Sequence, residues 1–148
     1  MKRTSHEAAN CPIARSLDVI GDWWTLLIVR DALAGKRRFG EFQRSLGVAK
    51  NVLAARLRAL VAEGILEMVP ASDGSAYQEY ALTDKGRGLF PVLVALGQWA
   101  HAHLFEPEEP RAAVVDRASG RPLRKLELRA EDGRLLKPGE AEVRLLAR

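Results

Sequence analysis

The side chains with the most evident chemistry lie between Lys36 and Arg58. Seven cations stand there, Lys36, Arg37, Arg38, Arg44, Lys50, Arg56 and Arg58, against one carboxylate, Glu41. This local excess of +6 is larger than the net charge of +4 for the whole chain, so the remainder is slightly acidic. A compact basic segment is the electrostatic footprint of a phosphate-backbone binder. Its bland counterpart is a solvated basic face. The second reactive group is Cys11, followed by Pro12. At a helix N-terminus the unpaired N–H groups favour thiolate, which makes such a cysteine a candidate redox or electrophile sensor. The competing reading is a small, inert, buried residue. As the only cysteine, Cys11 can form an intersubunit bridge, a mixed disulfide or an adduct, and no internal disulfide.

Other chemistry is sparse. His101 and His103 are two residues apart, so on a helix they diverge by about 200° and cannot chelate one metal. No Ser–His–Asp order, carboxylate pair or Gly-rich phosphate loop stands out, and no metal, cofactor or enzymatic activity is expected. Trp23, Trp24 and Trp99 are candidates to line a small-molecule effector pocket between the core and the terminal helix, although aromatic residues at helical spacing more often form plain core.

The elements that would position the cations follow from periodicity and punctuation. In GVAKNVLAARLRALVAEG, from Gly47 to Gly64, Leu53, Leu57, Leu60 and Val61 share one apolar arc. Asn51, Ala55, Arg58 and Ala62 recur on the opposite side, with Lys50 at the entry turn. Phe39 to Leu46 reads as a short helix with Phe39, Phe42 and Leu46 inward, and Gly47-Val48 joins the two. This is a helix-turn-helix pattern. Upstream, Pro12 opens a helix with Ile13, Leu17 and Ile20 on one face, and Gly21 ends it. Asp22 is a suitable N-cap for Trp23 to Ala34, a helix apolar on nearly every side and expected at the centre of the core.

After Gly64 the period falls to about 2. Ile65 to Ala71 and Tyr77 to Leu82 read as a hairpin, the wing. Thr83 can cap a helix to about Leu104, kinked by Pro91, and its surplus of apolar residues suggests a homodimer interface. The break EPEEP, from Glu106 to Pro110, separates a domain at 11–105 from a tail at 106–148. In the tail, Ala113 to Asp116, Leu123 to Arg129 and Glu142 to Leu146 read as short strands around the turns at Ser119-Gly120 and Asp132-Gly133.

The 148 residues and 47% hydrophobic content suffice for one packed domain and an appendage, and argue against disorder. No apolar run approaches the roughly 20 residues that span a bilayer. The start MKRTSHEAANCP has no apolar core for export, so a cytoplasmic location is expected.

Cys11-Pro12, the run from Gly21 to Glu67 and YALTDKGRGLFPVLVALGQWA together resemble the HxlR family of bacterial winged-helix transcription regulators. The resemblance covers about two-thirds of the chain, from Cys11 to Leu104. It implies a mainly α fold with a β-hairpin wing, here followed by a small C-terminal β appendage. It also implies a homodimer, built by the terminal helices, that binds palindromic double-stranded DNA operators; the role expected of it here is that of a repressor. Carried over by position, the recognition helix is Ala49 through Glu63, with Lys50, Asn51, Ala55, Arg56 and Arg58 as contacts and Arg37 and Arg38 near the DNA backbone. Lys50 or Arg58 suits guanine O6 and N7, Asn51 suits adenine, and Ala55 a thymine methyl. Arg37, Arg38 and Arg56 suit phosphates.

Two departures from the family pattern stand out. The wing, ASDGSAYQEY, lacks the base that relatives carry and includes Asp73, which shifts weight onto the helix. The tail looks like a zinc ribbon without its cysteines, with DRASG and RAEDG at the knuckle positions. Several relatives use a cysteine at this Cys-Pro position, which Cys11 matches, to sense oxidants or electrophiles. The alternatives are a winged-helix module for protein contacts, or a regulator that answers a small molecule without cysteine sensing.

Overall fold

The computed structural model describes residues 4–146. The loose polar start expected over residues 1–10 lies outside the described residues at 1–3. Beyond these, Asp18 accepts hydrogen bonds from the Ser5 hydroxyl and the His6 N–H.

Helix α1 spans Pro12–Ile20, with Cys11 as N-cap, Pro12 in the first turn and Gly21 closing the end. Helix α2 spans Thr25–Leu33 and starts later than the apolar run suggests. The Asp22 carboxylate accepts the N–H groups of Trp24 and Thr25 at 2.8 and 2.9 Å, and also the Thr25 hydroxyl. Its capping oxygen therefore fixes the helix start two residues downstream of Trp23. Trp23 falls outside the helix and is 82% exposed, which corrects the expectation of a helix buried on every side. Ile28 and Val29, on the inner face, are fully buried.

Helix α3, Phe39–Leu46, is capped by Glu41, which accepts the N–H groups of Arg37 and Arg38 at 3.1 and 2.9 Å. Gly47 ends it at φ 64°, a left-handed conformation that glycine adopts without a Cβ penalty. Helix α4 spans Lys50–Ala62. Its Leu53, Leu57 and Leu60 pack with Phe42, Ile28 and Val29 into one core, each burial contributing about 1.5–3 kcal/mol.

Strands β1, Leu66–Pro70, and β2, Gln78–Leu82, pair antiparallel from Leu66↔Leu82 to Pro70↔Gln78. On the other edge of β2 the Tyr80 N–H donates to the Arg37 carbonyl at 2.8 Å, drawing the segment before α3 alongside the wing. Thr83 caps α5, Asp84–Arg87, by accepting the Gly86 N–H. A turn at Gly88–Leu89 separates it from α6, Phe90–His103. The single kinked helix read from Thr83 to Leu104 is thus two helices. Pro91 stands in the first turn of α6, where its missing N–H costs nothing.

The chain forms two compact units, one ending at Leu93 and the other beginning at Val94. In the second unit the Gln98 carboxamide behaves like a strand edge, donating to the Arg124 carbonyl at 2.9 Å and accepting the Leu126 N–H at 2.7 Å. Arg111 donates to the carbonyls of His101 and Glu106 at 2.9 and 2.6 Å, capping the end of α6, and lies over the Phe105 ring. The tail strands read from alternation are reduced to single antiparallel bridges, Val115↔Pro122 and Arg129↔Leu135, with a 3-10 turn at Pro138–Glu140. Two short hairpins with little apolar cover cannot sustain longer ladders.

Candidate nucleic-acid interface

The two faces of α4 have opposite surroundings. Leu53, Leu57 and Leu60 are locked into the core, while Lys50, Asn51 and Arg58 are exposed and have no side-chain partner among the described residues. Ala55 is half-buried between them. Arg56 differs: its guanidinium lies 3.4 Å from Asp22. Burial raises the Asp22 pKa, but hydrogen bonds from the Thr25 side chain and from the Trp24 and Thr25 N–H groups, with Arg56 beside it, hold it below the ordinary value. Arg56 therefore ties the helix to the body through the carboxylate that caps α2.

Arg37 and Arg38 form a second cluster around a residue that periodicity alone marked only as part of a strand. Glu79, in β2, is 5% exposed at its side chain. It accepts Arg37 Nε at 3.0 Å, Arg38 Nε at 3.2 Å and the Ser72 N–H at 3.1 Å. The Ser72 N–H is the main cause of its lowered pKa; burial opposes the shift, and the two arginines reinforce it. Arg38 also reaches the wing turn, where its Nη2 lies 2.6 Å from Asp73 and its guanidinium stands 5.4 Å from the centre of the Tyr77 ring. The Asp73 pKa is lowered from 3.8 to about 2, chiefly by the Ser75 N–H and hydroxyl and then by Arg38. The structure thus brings Arg37 and Arg38 together at the wing, apart in kind from the unpaired cations of α4. Glu79 and Asp73 are 35 to 42 residues from these arginines. The hint in the sequence was electrostatic, since seven clustered cations need counter-charges from elsewhere.

Cys11 is half-buried with a free thiol. His101 Nε2 donates to the Ala112 carbonyl at 2.8 Å, and the His103 ring lies 5.6 Å from that of Trp99, tilted by 47°. Trp24 packs on the core of the first unit. In the second unit Trp99 lines a hollow with Ala102, Leu123, Leu126 and Leu128. No helix is long and apolar enough to cross a membrane among the described residues.

Two short helices joined at a left-handed glycine, the second cationic on its free face, followed by a two-stranded hairpin, make this a winged helix-turn-helix of the kind found in transcription regulators. The chain belongs to the HxlR-like helix-turn-helix family, whose model matches residues 19–108. It is 43% identical over 106 residues to the HTH-type transcriptional regulator Rv3095 of Mycobacterium tuberculosis (strain ATCC 25618 / H37Rv), covering 72% of this chain and 67% of the relative. The crystal structure of PA1607, a candidate transcription factor, superimposes with a TM-score of 0.90 at 57% identity, covering 95% of this chain and 99% of that one. The redox regulator HypR in its reduced form matches with a TM-score of 0.57 at 30% identity, over 64% of this chain and 94% of that one. The likeness of the tail to a zinc ribbon finds no support. The DRASG turn is closed by Asp116, which accepts the Ala118 N–H and the Ser119 hydroxyl, and the RAEDG turn by Asp132 with Arg134.

Proposed function

We propose that the protein is a homodimeric, cytoplasmic repressor that sets α4 of each subunit in the major groove of a palindromic operator. The observation that carries this reading is the outward face of α4, where Lys50, Asn51 and Arg58 are exposed without side-chain partners among the described residues. Lys50 and Arg58 face guanine, Asn51 faces adenine, and Ala55 allows close approach. Arg37, Arg38 and Arg56 serve phosphates; the Glu79 and Asp22 contacts leave part of each guanidinium free. Residues 11–105 form the DNA-binding and dimerising part, with 106–148 as an appendage. A protein-contact module is disfavoured because α4 carries three cations and no carboxylate from Lys50 to Ala62. Footprinting on the DNA flanking its own gene tests the reading. Protection of two symmetric half-sites is expected, and a lack of salt-sensitive binding to any duplex contradicts it.

Cys11 as the sensor is a further part of the proposal. It is supported by the half-buried thiol at the start of α1 and by the similarity to a protein described as a redox regulator. Diamide or a quinone should change operator binding. An identical response from Cys11→Ser protein excludes the role and favours a small-molecule effector.

A further inference from the structure

The wing encodes no base between Ala71 and Tyr80, yet a guanidinium sits at its turn. It belongs to Arg38, which stands at the N-terminus of α3. The two carboxylates that hold Arg38 differ in kind. Glu79 is buried and bound by Arg37, Arg38 and the Ser72 N–H, so it cannot leave without stranding several donors. Asp73 is 56% exposed, on a turn whose Gly74 has φ 76°, and its other oxygen is held by the Ser75 N–H at 2.9 Å. Arg38 itself is 35% exposed and uses Nε inward and Nη2 toward Asp73; its Nη1 has no partner among the described residues. A guanidinium has five donors in a rigid fork that matches a phosphate as well as a carboxylate. One anchor is therefore permanent and the other exchangeable.

We propose that Asp73 is a releasable counter-ion for Arg38, which a phosphate of the DNA backbone displaces, so that Arg38 becomes the cation of the wing. This rests on the DNA-binding reading above and adds to it a wing contact that the wing's own sequence does not supply. The side chain of Tyr77 lies under the guanidinium and limits its swing during the exchange. Glu79 keeps Arg38 attached to the wing in both states. Asp73 acts as an internal competitor that lowers affinity for all duplexes alike, because phosphates carry no sequence information.

The test measures anisotropy of a labelled duplex from the DNA flanking the protein's own gene, and of a random duplex of equal length, with the full chain at several salt concentrations. Asp73→Asn should tighten binding to both probes by about 2- to 5-fold, the range set by an exposed ion pair. In an Arg38→Gln background, which keeps a donor toward Glu79, the same change should have no effect. Glu67→Gln removes another exposed carboxylate from the same hairpin and controls for general charge. If Arg38→Gln does not fold, a larger gain from Asp73→Asn than from Glu67→Gln still supports the exchange. Equal gains from both, a gain that survives Arg38→Gln, or weaker binding by Asp73→Asn each overturns it. If the unsubstituted protein shows no salt-sensitive binding, the DNA-binding reading fails and the exchange fails with it; the other outcomes concern the exchange alone.

Discussion

Arg56 and Arg58 are two positions apart in α4, and their neighbours assign them different work. Arg58 is exposed and without a side-chain partner among the described residues, whereas Arg56 is held at 3.4 Å from Asp22. Arg58→Ala should cost about 1–3 kcal/mol of operator affinity and relax base preference, while leaving the thermal melt unchanged. A gel-shift series with unchanged affinity and preference removes Arg58 from the interface. Arg56→Ala should cost less in binding and well under about 1 kcal/mol in stability, since the pair is partly solvated. Arg37→Ala should weaken every duplex alike and lower the salt slope by about one. The carboxylates add a pH dependence. Asp73 and Glu79 both titrate below their ordinary values, so the folded state binds fewer protons than the unfolded chain. Their stabilisation is complete above the ordinary carboxylate range and is lost as pH falls through it toward about 2, the folded value of Asp73. Thermal melts down to about pH 3 should show a loss that Glu79→Gln reduces; an unchanged pH profile for Glu79→Gln contradicts the linkage.

At the scale of elements, close backbone packing behind the wing makes a sharp prediction. A Cβ on Gly86 would stand 2.3 Å from the Ile65 carbonyl oxygen, with backbone on both sides of the clash. Gly86→Ala should destabilise by at least about 1–3 kcal/mol in a denaturant titration, more than Thr83→Ala, which removes a cap worth about 1 kcal/mol. Punctuation made much of this architecture readable. Pro12, Gly47 and Gly64 bound α1, α3 and α4 within a residue or two, because Pro12 fixes its own φ and the two glycines turn at φ 64° and 73°, where other residues are strained. Hydropathy alone misplaced the rest. Trp23 looked like the start of a buried helix, but Asp22 caps the turn after it. Pro91 looked like a kink and instead opens α6. Tail alternation signalled strands where only single bridges form. The readable half of the proposed interface was likewise local: the exposed positions of Lys50, Asn51 and Arg58 on α4 follow from helical spacing. The Glu79 cluster was not readable, since its members meet only when β2 lies beside the segment before α3.

At the scale of the molecule, the proposed homodimer needs an apolar surface through which two copies could associate. In the second unit Leu96 and Trp99 are exposed on α6, Trp99 to 57%. Surface of this kind on a small regulator is suited to self-association. Trp99→Glu should yield monomers by sedimentation and weaken operator binding steeply, since each half-site then binds alone. A dimer that persists with unchanged affinity places the interface elsewhere. The central claim, that the outward face of α4 reads DNA, is tested most directly by footprinting the DNA flanking the protein's own gene with unsubstituted and Arg58→Ala protein side by side. The expected result is two protected half-sites about one helical turn apart, or a multiple of it, that vanish with Arg58→Ala while its fold is intact. Protection that is absent from the start, or unaltered by Arg58→Ala, contradicts it.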